Sequence, residues 1–170
     1  LDTGCINAKG KIDVLNFIDA MEKRKKLVTK MINITGDEIK NYKSGYQKYL
    51  SRKKELQYGL FDIGKFDRSV FTDDEIMERA DDIANRLFGV NFGCVLNFPK
   101  PNSFRDVMII NRAIGVNCDY FLTTERKFVT SKKEYDNQKW FEEKFGIKVR
   151  YVEKEKNNSS LIEEISKLLN

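Results

Sequence analysis

Asp106-Val107-Met108-Ile109-Ile110-Asn111-Arg112-Ala113, followed a few residues later by Tyr120-Phe121-Leu122-Thr123-Thr124-Glu125, is the stretch on which the fold reading turns. Val107, Ile110 and Ala113 recur at helical spacing, and Gly115 stands near the helix end. Asn102 or Ser103 is placed to cap this helix just after Pro99 and Pro101, with Asp106 in its first turn. Tyr120 to Thr123 then reads as a short buried strand. A helix leading directly into such a strand is the repeating unit of an α/β chain.

Working back from it, Ile12, Leu15, Ile18 and Met21 mark an amphipathic helix from Ile12 to Lys26, ending in Lys23-Arg24-Lys25-Lys26. Leu27 to Ile34 reads as a strand, and Thr35-Gly36-Asp37 as the turn opening a polar helix from about Glu38 to Leu56. Tyr58 to Thr72 is less regular. Thr72 and Asp73 then cap a helix whose inner face is Ile76, Ala80, Ile83, Ala84 and Leu87. Working forward, Lys132 to Phe145 is a helix stopped by Gly146, and Ile147 to Val152 alternates as a strand. Ser160-Leu161-Ile162-Glu163 is a capping-box pattern opening a last helix lined by Leu161, Ile165 and Leu168. Strands alternating with helices predict an α/β fold with a parallel sheet and right-handed crossovers.

Composition narrows the chemistry. The 170 residues, 41% of them hydrophobic, suffice for one core, so a single domain is expected over residues 1–170. No run approaches the roughly 18 apolar residues of a membrane span, and no secretory signal opens the sequence, so a cytoplasmic protein with no membrane partner is expected. Cys5, Cys94 and Cys118 are widely spaced and read as reduced thiols. With no histidine in the chain, imidazole bases, Ser-His-Asp triads and histidine metal clusters are excluded. A net charge of +5, from 31 basic and 26 acidic residues, favours a polyanionic partner.

In open α/β sheets functional groups gather beyond the carboxyl ends of strands. Asp2 stands at the end of a first strand, Asp37 and Glu38 follow the second, and Glu125 follows Tyr120–Thr123, with Asp106 on the preceding helix. Converging carboxylates repel unless protons or a cation intervene, and hard divalent ions suit such oxygen ligands.

Four segments resemble, in order, the motifs of PIN domains: Leu1-Asp2-Thr3-Gly4-Cys5-Ile6-Asn7, Ile34-Thr35-Gly36-Asp37-Glu38-Ile39, Asp106 to Ala113, and Cys118 to Phe128. The resemblance implies a PIN-like three-layer α/β/α fold with a central parallel sheet of four to five strands, residues 58–100 forming a helical insertion or mobile loop region. It implies that Asp2, Glu38, Asp106 and Glu125 bind Mg²⁺ or Mn²⁺, supported by the hydroxyls of Thr3 and Thr123, and that the activity is a metal-dependent endoribonuclease using metal-activated water. Glu125 departs from the family's usual Asp. RNA is the implied substrate, an antitoxin protein and a homodimer the further implied partners. Lys40, Lys43, Arg52 and Lys53, interleaved with Tyr42, Tyr46 and Tyr49, are candidate RNA contacts. A non-catalytic RNA-binding or protein-interaction PIN module, and a magnesium-dependent small-molecule phosphatase, remain as alternatives.

Overall fold

A computed structural model describes residues 1–2, 4–5, 11–32, 55–56, 74–93, 98–130, 136–153 and 158–169. Helix α1 spans Asp13–Lys23, strand β1 Met31–Ile32, and strand β2 Glu55–Leu56. Helices α2, Asp74–Phe88, and α3, Pro101–Gly115, precede strand β3, Tyr120–Thr123. A 3₁₀ turn, Arg126–Phe128, leads toward helix α4, Asn137–Phe145, strand β4, Lys148–Tyr151, and helix α5, Ser159–Leu168.

The strands pair as two separate two-stranded parallel ladders, β1 with β2 and β3 with β4. This corrects the PIN-like reading: among the described residues helices predominate, and there is no central sheet of four to five strands. The sequence alternation identified elements but not their joining into one sheet. Leu27 to Lys30 falls outside the strand expected there, because its backbone is engaged elsewhere. The Thr29 N–H donates to Glu22 Oε1 at 3.0 Å, and the Lys30 carbonyl accepts from the Leu1 nitrogen at 3.3 Å. Glu55 and Leu56, expected to end a helix, instead pair with Met31 and Ile32. The rest of that expected helix lies outside the described residues.

The β3–β4 ladder is where the packing is decided. Tyr120 pairs with Lys148, Phe121 with Val149, Leu122 with Arg150 and Thr123 with Tyr151. Side chains alternate across a strand, so successive residues face opposite cores. Phe121 and Val149 join the core built by α2, α3 and α4, with Ala80, Ile83, Ile110 and Phe141. Leu122 and Val152 join a second core with Val14, Leu15 and Ile18 of α1 and Leu161 and Ile165 of α5. In the first core Phe92 stacks on Phe104 at 4.5 Å between ring centroids, and Phe98 meets Phe104 edge-on at 5.2 Å.

Helix ends follow local chemistry. Gly146 closes α4 at φ 70°, a left-handed position that glycine adopts without a Cβ penalty. Asp136 caps the other end by accepting from the Lys139 N–H at 3.0 Å. At α5 the N-cap is Asn158 rather than Ser160. Its amide is turned to Asp13 Oδ1 at 3.0 Å, tying the start of α5 to the start of α1. That contact, ahead of opposing desolvation, holds the Asp13 carboxyl below the usual carboxylate range.

Phe121, 2% exposed and edge-on to Phe128 at 5.3 Å, tests the ladder's role. Phe121→Ala is expected to lower unfolding free energy by about 3–5 kcal/mol in a urea titration, whereas a surface change such as Val28→Ala, at 58% exposure, should stay within about 0.5 kcal/mol. Equal effects would show that the ladder does not organise the core.

Candidate functional site

At the carboxyl end of β3, the chain brings together residues far apart in sequence. Asp2 lies beside the strand, its N–H donating to the Leu122 carbonyl at 3.1 Å. Its carboxylate is buried and accepts three hydrogen bonds: from the Thr123 hydroxyl at 2.5 Å, the Gly4 N–H at 2.8 Å and the Thr124 N–H at 3.2 Å. Thr123 is itself fully buried, and its Oγ1 accepts from the Glu125 N–H at 3.0 Å. One hydroxyl therefore joins the buried acid to the backbone of the next. This arrangement needs a glycine at position 4: a Cβ there would fall 2.0 Å from Thr124 Oγ1.

Asp106 approaches from α3. The helix begins at Pro101 with Lys100 as its N-cap and no acid in its first turn, so Asp106 occupies the second turn and is neither a cap nor a first-turn acid as the sequence suggested. Its Oδ2 is paired with Lys127 Nζ, and the same ammonium lies 3.9 Å from Glu125 Oε2. Burial raises the Asp106 pKa, Lys127 pulls it down, and Asp2 and Glu125 push it up again; the outcome is about 6. A single lysine does not offset desolvation together with two neighbouring carboxylates.

The structure thus assembles Asp2, Thr123, Asp106 and Glu125, and adds Lys127, which the sequence places beside Glu125 but not against Asp106. Thr3, Glu38, Lys40, Lys43, Arg52 and Lys53 lie outside the described residues. The implied ion does not fit what is assembled. Among the described residues no group of three or more His, Cys, Asp or Glu side chains is placed to hold a metal. The physical reason is that Asp2 is committed to three protein donors, while the Lys127 ammonium takes the position between Asp106 and Glu125. The expected metal-dependent endoribonuclease, its Mg²⁺ or Mn²⁺ cofactor and the magnesium-dependent phosphatase alternative are corrected accordingly.

The chain matches no protein-family model, no curated protein and no solved structure. The PIN resemblance therefore rests on short segments alone, and the strand pairing contradicts it. Cys5 is buried, and Cys118 is a half-buried thiol whose pKa burial raises. No described helix is long and apolar enough to cross a membrane.

Two substitutions probe the site. For Asp106 the folded pKa, about 6, exceeds the ordinary carboxylate value of 3.8, so the folded state binds the extra proton between these values. Its contribution to stability is consequently present below about pH 4 and lost as pH rises through about 6. Asp106→Asn should stabilise the protein by on the order of 1–3 kcal/mol at pH 7.5, with the gain vanishing near pH 4. Destabilisation at pH 7.5 in paired urea titrations would mean that the Lys127 ion pair outweighs desolvation. Gly4→Ala should cost about 1–3 kcal/mol through the clash with Thr124, and adding Thr124→Ala should recover much of it. A purely additive double variant would show that the close approach is unimportant.

Proposed function

We propose that this chain binds single-stranded nucleic acid, RNA in the first instance, as a module without metal chemistry. The supporting observation is the end of α1. Lys23, Arg24, Lys25 and Lys26 are all exposed, and none forms an ion pair among the described residues. The Lys25 N–H donates to the Glu22 carbonyl at 2.9 Å and the Lys26 N–H to the Met21 carbonyl at 3.0 Å, the pairing of a Schellman helix stop. Lys25 sits at the left-handed position of that stop, with φ 58°. Glycine would be cheaper there by roughly 1 kcal/mol, since a Cβ crowds the left-handed backbone.

The helix dipole accounts for a cation or two at a helix end, at about 0.3–1 kcal/mol each. It does not account for four in succession with a lysine in a strained position. A row of unpaired cations does suit a phosphate backbone, where each contact releases condensed counterions. The net charge of +5 has the matching sign.

Lys25→Gly separates the two demands on this turn. It should raise unfolding free energy by about 1 kcal/mol while weakening binding to an unstructured RNA oligomer. Changing Lys23, Arg24, Lys25 and Lys26 together to Ala should flatten the plot of log affinity against log salt by roughly 2–3, at about 0.7 per phosphate contact on a single strand. Fluorescence anisotropy across a salt series provides the measurement. Unchanged affinity and slope would reduce the basic run to a solvated helix end.

A further inference from the structure

A second surface lies on the other side of the 3₁₀ turn. The end of β4 and the first turns of α4 and α5 border an open cleft of about 370 Å³. Val129 and Leu161, both buried, supply apolar lining, and the Tyr151 ring joins them. The Gln138 amide and the Ser160 hydroxyl also line it. Neither makes a side-chain hydrogen bond among the described residues, so a donor-and-acceptor amide and a hydroxyl are open to a ligand.

The charges of the lining are arranged differently. Arg150 donates to Glu164 from Nε at 3.0 Å and from Nη2 at 2.8 Å, and the Tyr120 hydroxyl donates to the same carboxylate at 3.0 Å. Glu164 is held below the usual carboxylate range chiefly by that arginine, and the pair is internally neutral. Glu153 also lines the cleft, its charge acting on Arg126. A bare phosphate therefore gains little inside the cleft, whereas a neutral planar group gains contact and hydrogen bonds. Beside Tyr151 stands Arg126, exposed, hydrogen-bonded to that tyrosine and with its guanidinium 5.7 Å from the centre of the ring. Guanidinium and phenol together form a ledge of the kind on which bases stack, with a positive charge beside it for the attached phosphate. The volume, at the lower end of the roughly 300–1,000 Å³ of ligand clefts, admits one ring system.

We infer that this cleft takes a single unpaired nucleobase, stacked on the Arg126–Tyr151 ledge with its polar edge toward Gln138 and Ser160. The inference rests on the RNA-binding reading for the source of the base, and it adds a site distinct from the basic end of α1.

The test has two probes. One is a short uridine oligomer carrying a single 2-aminopurine, whose fluorescence falls when the base stacks; the other is adenosine monophosphate, followed by NMR at the Gln138 amide and the Leu161 methyls. Wild type should quench the oligomer and shift both sets of signals. Tyr151→Leu should bind about tenfold more weakly and lose the quench, as removal of one base–aromatic stack predicts. Arg126→Ala, at an exposed position, should give a smaller loss in the same direction and serves if Tyr151→Leu fails to fold. Oligomer binding that is equal in wild type and variants, with unmoved Gln138 and Leu161 signals, overturns the cleft and leaves the basic run as the binding surface. If the oligomer does not bind but adenosine monophosphate shifts those signals in wild type and not in Arg126→Ala, the cleft stands and the RNA reading falls. If neither probe moves them and the oligomer does not bind, both fall.

Discussion

A parallel ladder of two four-residue strands separates two apolar cores, and most of the molecule is arranged to satisfy it. Because both faces of β3 are covered, its residues cannot follow the polar–apolar alternation of a half-exposed strand. They must be apolar or internally bonded throughout. Phe121 and Leu122 meet the requirement by packing into opposite cores. Thr123 meets it by donating to Asp2 and accepting from Glu125. An isolated two-stranded pairing is marginal, so the ladder depends on the helices against both faces as much as they depend on it. The parallel connection from β3 to β4 runs through α4, which supplies Phe141 to the first core on the way.

The same constraint explains why charged groups collect where they do. Beyond Thr123 the chain leaves the buried layer through the half-buried Thr124, and the first charged side chains are those of Glu125, Arg126 and Lys127. Carboxylates from Asp2 and Asp106 are already near this exit, one buried with three donors and the other desolvated. Lys127 turns inward to Asp106 and toward Glu125, while Arg126 turns to Tyr151. The acidic residues are thus accommodated by hydrogen bonds, one internal cation and a raised Asp106 pKa. Those are alternatives to a bound ion as ways of relieving carboxylate repulsion.

Much of the local structure was legible in the sequence, because local signals determine it. The span of β3 agrees with the apolar run Tyr120-Phe121-Leu122-Thr123, and Gly146 ends α4 as a left-handed glycine should. Ala80, Ile83 and Ala84 are buried as the helical period of α2 predicts. What failed were inferences about partners at long range. Strand patterns at Leu27 to Ile34 and Ile147 to Val152 carry no statement of which strand pairs with which, and joining them into one sheet was borrowed from the resemblance. The convergence of Asp2, Asp106 and Glu125 was legible from strand-end positions, but their chemistry was not, because it is set by Lys127. That lysine was visible as a neighbour of Glu125, yet only the 3₁₀ turn brings it to Asp106, on a helix 21 residues earlier. The Asn158 cap was hidden by a better-looking Ser160 pattern, since its contact with Asp13 spans 145 positions.

The fate of the cations links fold to function more directly than the net charge does. Lys127 and Arg150 are partly buried and bound to carboxylates, where removal would leave an acid desolvated and unpaired. They are committed to structure and have little charge to offer a ligand. Lys23 to Lys26 are exposed and form no ion pair among the described residues, whereas Arg126, also exposed, is held against Tyr151. At Lys25 the fold even carries a local cost, since the left-handed backbone favours glycine. Among the described residues, Lys23 to Lys26 form a run of exposed cations at the end of α1, while at the end of β3 the single Lys127 ammonium is shared between the partly buried Asp106 and the exposed Glu125.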